Sequence, residues 1–266
     1  MFADWHRVLP DEDYRFHMGL RPGDGGRFFA PSTEGEGILS ERVTLLEKTP
    51  AYCLLLPPRE EDVATLHEAL ALMSSWSGVA VTGAAEAGRL LEPDWLTLSP
   101  DAGGVLLVTA GAVCFPSSWS LPEKAGLRVS EVHGVVPRLN DSLGSRIDTF
   151  LGRLTAGAAW ERENWGLSAH SALDHHPRHR RSPLHDAATL DTTWLRLERQ
   201  LFARLTGGGV LFSIRVSSHR VDELCMMPGI AARLGRALAT MPADVASYKG
   251  LAAARHRLVQ LLKEAP

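Results

Sequence analysis

Apolar positions recur at helical spacing early in the chain and shift to short runs and alternation after about residue 103. From Ile38 to Lys48, the side chains of Ile38, Leu39, Val43, Leu45 and Leu46 can share one helical face, and Pro50 discourages continuation. Pro58 precedes REEDVATLHEALALMSSW, where early carboxylates suit the positive start of a helix and Val63, Leu66, Leu70 and Met73 recur at helical spacing. VLLVTAGAVCFP reads as two short strands, Val105 to Val108 and Ala112 to Phe115, joined at Ala110-Gly111 in a tight hairpin. Ala159 to Leu167, Thr192 to Glu198 and Val210 to Val216 are further strand candidates, with a helix expected over Leu143 to Leu154. After Pro228 the pattern returns to helix in GIAARLGRALATM and again from Leu251 to Lys263. The order predicts an α+β chain: an antiparallel sheet with helices on one side. We expect a single domain over residues 1–266, with a surface-wrapping N-terminal segment over 1–37 and a helical C-terminal extension over 228–266.

Charge narrows the partners. With 28 Lys plus Arg against 31 Asp plus Glu, the formal net charge of −3 gives no general attraction to nucleic acid or anionic lipid. Cys53, Cys114 and Cys225 lie far apart and form no C-x-x-C pair, so neither a disulfide framework nor a zinc ribbon is expected. The acidic, Pro10-interrupted beginning lacks the order of a secretory signal, and no apolar run approaches the roughly 20 residues of a membrane-spanning helix. A cytoplasmic location is the expectation. The glycine clusters GDGG, GEG and TGGG fit neither dinucleotide nor P-loop spacing, no G-x-S-x-G elbow is present, and His67-Glu68 lacks the second histidine of a zinc-protease helix.

Four polar stretches remain. The run from His175 to Arg181 reads as an exposed, solvated loop, with a metal or phosphate site or a contact for an acidic partner protein as the functional alternatives. Between Cys114 and Pro137, His133 lies among Val132, Val135 and Val136, so its imidazole borders an apolar space, as either a hydrogen-bonded core histidine or a ligand. In WERENWGL, strand alternation puts Trp160, Arg162 and Asn164 on one face and Glu161, Glu163 and Trp165 on the other. In TTWLRLERQLFARL it puts Trp194, Arg196 and Glu198 opposite Leu195, Leu197 and Arg199. A guanidinium and a carboxylate side by side in a sheet form either an internal ion pair or a site for a polar ligand.

FPSSWSLPEKAGLRVSEVHGVVP (Phe115 to Pro137), RENW (Arg162 to Trp165) and LRLERQLFARL followed by GVLFSIR (Leu195 to Arg215) together resemble the haem-dependent oxidative N-demethylase family, related to the haem subunit of dimethylamine monooxygenase. The resemblance implies a PAS-like domain that binds haem b, activates dioxygen and removes a methyl group from a small alkylamine as formaldehyde. It further implies electrons from a separate reductase carrying flavin and an iron–sulfur cluster. Three scattered cysteines and the missing dinucleotide loop suit that division of labour. Under this resemblance His133 is the leading axial iron ligand, with Glu131, two residues away on an extended chain, or a backbone carbonyl to hold its other ring nitrogen. Lys124, Arg138 and Arg199 are candidates to neutralise the haem propionates, and Trp119 either packs on the porphyrin or closes the core. Glu198 is the carboxylate expected to hold a protonated amine, with Arg196 and Arg162 as organising neighbours. A haem-based oxygen or redox sensor, or a haem-free small-molecule-binding or assembly subunit, are the alternative readings.

Overall fold

In the computed structural model, which describes residues 3–265, the strand-forming segments join into one seven-stranded antiparallel sheet. The strands are β1 (Arg21–Pro22), β2 (Leu54–Leu55), β3 (Asp94–Pro100), β4 (Leu106–Ala112), β5 (Ala159–Ser168), β6 (Trp194–Arg204) and β7 (Val210–Arg220), in the order β1-β5-β6-β7-β3-β4-β2. The fold is α+β. Trp160 stands opposite Phe202, Arg162 opposite Gln200 and Asn164 opposite Glu198, so the alternation expected for both segments is locked by one register. β6 continues to Arg204 and β7 to Arg220, well past their expected ends.

The expected hairpin at Ala110-Gly111 is displaced. Both residues lie inside β4, which pairs with β3, and the chain reverses over Asp101–Val105 instead. There the Asp101 carboxylate accepts from the Gly103 and Val105 amides at 2.8 and 2.9 Å, and Gly104 adopts a φ of 79°. Gly111 marks a close approach of strands: a Cβ there would lie 2.7 Å from the Trp95 carbonyl oxygen.

Helices cover both faces of the sheet, not one. The face carrying Trp95, Leu201 and Leu211 packs against helices Gly25–Phe29, Glu60–Ser77 and Ala84–Leu90, through Phe28, Leu66, Leu70 and Met73. Farther along that face, Leu195 and Leu197 meet Ile230, Leu234 and Leu238 of helix Ile230–Thr240 and Leu258 and Leu262 of helix Arg255–Glu264. Trp5, Val8 and Leu9 enter the same cluster, so the N-terminal segment contributes core residues. On the opposite face, Leu96, Leu98, Val108 and Phe212 pack against Leu143, Ile147 and Leu151 of helix Leu139–Arg153. The one-sided expectation failed because the sheet is apolar on both faces, and each face must be covered.

Candidate functional site

Arg162, Glu198 and Gln200 project from the second face, the one that helix Leu139–Arg153 covers only in part. The segment that crosses this face, beginning at Phe115, is anchored by a buried ion pair. Arg42 and Asp94 are 0% and 1% exposed and joined at 2.5 Å, and the same carboxylate accepts from the Cys114 and Phe115 amides at 2.7 and 2.9 Å. Arg42 also donates to the Gly88 carbonyl at 2.7 Å. Helix Gly35–Lys48 thus turns a charged residue into the core on the face read as apolar, where the strand end supplies its counter-charge.

From this anchor the chain delivers Ser117 to β6. Ser117 Oγ donates to Glu198 Oε1 and accepts from Arg196 Nε at 2.7 Å, while Arg196 Nη2 donates to the Phe115 carbonyl at 2.7 Å. Gln200 and Asn164 donate to Glu198 Oε2 at 2.9 and 3.3 Å. Arg196 and Glu198 are therefore coupled through a hydroxyl, not paired directly. Strand alternation could place both on one face, but Ser117, which joins them, came from a distant segment and carried no signal of its own.

His133 ends the short helix Val129–His133. Glu131 is thereby on a helix, not an extended chain, and its carboxylate accepts from the Arg128 amide at 2.8 Å in a capping arrangement, away from the role of supporting the imidazole. His133 Nδ1 is buried without a hydrogen-bond partner. Burial, reinforced by the positive charge of Arg162, holds its pKa below the ordinary histidine range and keeps the ring neutral near pH 7. Val129, Val132 and Trp119 pack into the adjoining apolar cluster. Met18, Phe150, Leu154 and Trp160 of the same cluster, with Leu20, Arg146 and Arg153, wall a groove of about 390 Å³ that His133 itself does not line.

The expected cations separate. Lys124 is half-buried and its charge acts on His133. Arg138 points outward and pairs with Asp244 at 2.7 Å. Arg199 lies on the opposite face, 3.3 Å from Glu161 and 5.5 Å from the Phe28 ring centroid, so it is not brought together with His133. Arg162 is on the His133 side with its Nε buried and unpartnered.

Other groups escaped sequence reasoning. His170 and His175 each bury an unpartnered Nε2. Burial and the charge of Arg196 lower the pKa of His175 to about 4. The His175–Arg181 stretch, expected as a solvated loop, is pinned down by the buried Asp174, which accepts from Arg178 and lies 2.7 Å from His179 Nε2. Its backbone joins the site segment through Ser118 N donating to the His175 carbonyl at 3.2 Å. Lys249, in the C-terminal extension, reaches the Trp165 carbonyl at 3.0 Å.

The donor chemistry is compatible with a haem, because a porphyrin supplies four of the iron's ligands itself and asks the protein for an axial donor. The neutral imidazole of His133, with an unsatisfied nitrogen and apolar neighbours, fits such a donor. A family model described as haem-dependent oxidative N-demethylase, alpha subunit-like, matches residues 81–259. The chain belongs to this family. Membership supports an oxidoreductase role of the oxidative N-demethylation kind, with haem dependence at the level of the family. The matched span in this N-demethylase-like chain contains His133, Arg162, Arg196, Glu198 and Lys249, and among the described residues no helix is long and apolar enough to cross a membrane.

Proposed function

We propose that this chain is the haem-binding component of a monooxygenase that oxidatively demethylates a small alkylamine such as dimethylamine, with formaldehyde released and electrons supplied by a separate flavin and iron–sulfur reductase. The observation that carries the reading is the half-buried, neutral His133, whose buried Nδ1 has no partner, set among apolar residues within the family-matched span. His133 would hold the iron of haem b, and Trp119 and Lys124 would border the group. We also read the five long strands as PAS-like, a proposal supported by the order β5-β6-β7-β3-β4, in which the first and last of the five are neighbours.

Bound haem supplies the dioxygen-activating, one-electron chemistry that no side chain here provides. The protein's part is to receive and orient the amine. Glu198 offers the negative charge an alkylammonium needs, and its two oxygens are fixed by Ser117 on one side and by Gln200 and Asn164 on the other. Arg196 positions Ser117 and is itself braced on the Phe115 carbonyl, so the carboxylate is held without a direct ion pair that would cancel its charge. Three donors leave part of the carboxylate's acceptor capacity for a cationic N–H.

The test is absorption spectroscopy of the purified chain titrated with hemin, followed by formaldehyde assay with dimethylamine, dioxygen and a reductase. We expect a Soret band that is lost or shifted in His133→Ala and unchanged in position in His175→Ala. An unaltered spectrum and haem content in His133→Ala would overturn the ligand assignment. Haem binding with dioxygen-dependent spectral change but no formaldehyde would favour the sensor reading.

A further inference from the structure

Two of the three cysteines, distant in sequence, come together where the outermost strand meets the segment that begins at Phe115. Cys53 ends the short helix Pro50–Cys53 and leads into β2, whose Leu54 stands opposite Ala112 of β4. The pairing runs one step further, since the Val113 amide donates to the Cys53 carbonyl at 2.8 Å, and this brings Cys114, the next residue, beside Cys53. Both side chains are buried, at 2% and 1% exposure, in one small cluster with Leu46 and Phe115. Their thiols are free and in hydrogen-bonding contact with each other.

The two sulfurs have unequal surroundings. Cys53 Sγ also lies 3.9 Å from Thr49 Oγ1. Contact with Cys114, and then with Thr49, draws the Cys53 pKa down to about 7 against the opposing effect of burial. The same contact, together with burial, pushes the Cys114 thiol up and keeps it protonated. The cover over Cys53 is thin: β2 has two residues and lies at the sheet edge, the helix before it has four, and Tyr52 and Leu56 to either side are exposed. Local opening of so short an edge requires far less free energy than global unfolding and gives entry to a solute little larger than water.

We propose that Cys53 and Cys114 form an oxidisable dithiol whose substrate is hydrogen peroxide, with Cys53 as the attacking sulfur and Cys114 as the resolving one. The Cys53 thiolate attacks one peroxide oxygen, the O–O bond breaks, the departing hydroxide takes up a proton as water, and Cys53 becomes a sulfenic acid. The Cys114 sulfur then attacks the Cys53 sulfur, the S–O bond breaks, and the hydroxyl leaves with the Cys114 proton as a second water. One peroxide is thus reduced by two electrons, and two thiols become one disulfide. The bond ties the sheet edge to a segment whose next residues supply the Phe115 carbonyl to Arg196 and the Ser117 hydroxyl to Glu198. The dithiol goes beyond the haem reading and needs no haem.

The full chain, prepared without haem and fully reduced, is treated with hydrogen peroxide, quenched with catalase, alkylated in denaturant and mapped by peptide mass spectrometry. Wild type should lose two of its three thiols to a Cys53–Cys114 disulfide that dithiothreitol reverses, with Cys225 recovered as a thiol. Cys114→Ser should stop at a Cys53 sulfenic acid, trapped by dimedone, and Cys53→Ser should leave Cys114 unoxidised. Circular dichroism confirms that the variants are folded, and the wild-type result stands without them. Recovery of Cys53 and Cys114 as thiols from wild type, even in excess peroxide, overturns the site. A disulfide that involves Cys225 as readily, or selectivity no greater in the native chain than in urea, overturns it as well. Oxidation of Cys114 at an unchanged rate in Cys53→Ser overturns the assignment of the attacking sulfur.

Discussion

Glu198 carries a charge that three neutral donors hold in place, so its replacement separates charge from shape. Glu198→Gln keeps the side-chain volume and one acceptor oxygen but removes the anion, and we expect the KM for dimethylamine to rise about tenfold or more, the scale of a lost charge-assisted hydrogen bond, while haem uptake is unchanged. A fall in kcat at constant KM in steady-state formaldehyde assays would contradict a role in holding the ammonium. His175 gives a different test. Its pKa, about 4 in the fold against 6.5 when free, means that the native ring stays neutral where the unfolded one is protonated. Between pH 6.5 and about 4 the unfolded state therefore binds more protons, and stability falls as pH falls through that window, whereas above 6.5 the residue contributes no pH dependence. His175→Gln should flatten the loss of urea stability over this range. An identical pH profile in the variant would show that other groups govern the acid limb.

At the level of elements, the site depends on how helix Gly35–Lys48 and the start of β3 clamp the segment after β4. Asp94→Ala leaves Arg42 charged and buried and frees the Cys114 and Phe115 amides, with an expected cost of about 3–5 kcal/mol in denaturant unfolding. Ser117 should lose its position with them, so the variant should show weakened amine binding even where it remains folded. A destabilisation below about 1 kcal/mol would show that the ion pair is dispensable. The same elements show what was legible in advance. Helix Glu60–Ser77 and the faces of β5 and β6 follow from period alone, because burial on one side imposes it. Arg42 was invisible, since its apolar neighbours Val43, Leu45 and Leu46 predict an ordinary core face, and only the tertiary partner Asp94 makes burial of the charge tolerable. Gly111 was misread because a glycine that admits a neighbouring strand and one that makes a turn look alike in sequence. His133 and Glu198 stood out through their motifs, whereas Ser117, His175 and Lys249 enter by long-range packing that no local spacing encodes.

Across the whole molecule, both ends of the chain converge on one cluster. Trp5 and Leu9 from the N-terminal segment meet Ile230, Leu234 and Leu258 from the C-terminal extension against Leu195 and Leu197 of β6. Those two leucines are 0% and 2% exposed; they flank Arg196, and Leu197 adjoins Glu198 in sequence, on the reverse side of the strand. Removing the extension would therefore uncover the back of the strand that carries Glu198 on its front. This linkage argues for one cooperative unit over the described residues, in which the extension is part of the site's scaffold and not an appended module. Thermal unfolding should accordingly give a single transition, with far-ultraviolet circular dichroism and tryptophan fluorescence coinciding, and truncation after Pro228 should abolish haem uptake together with the native fold. Two resolved transitions, or a truncated chain that still binds hemin as the full chain does, would show instead that the sheet and its covering helices fold and bind without the extension.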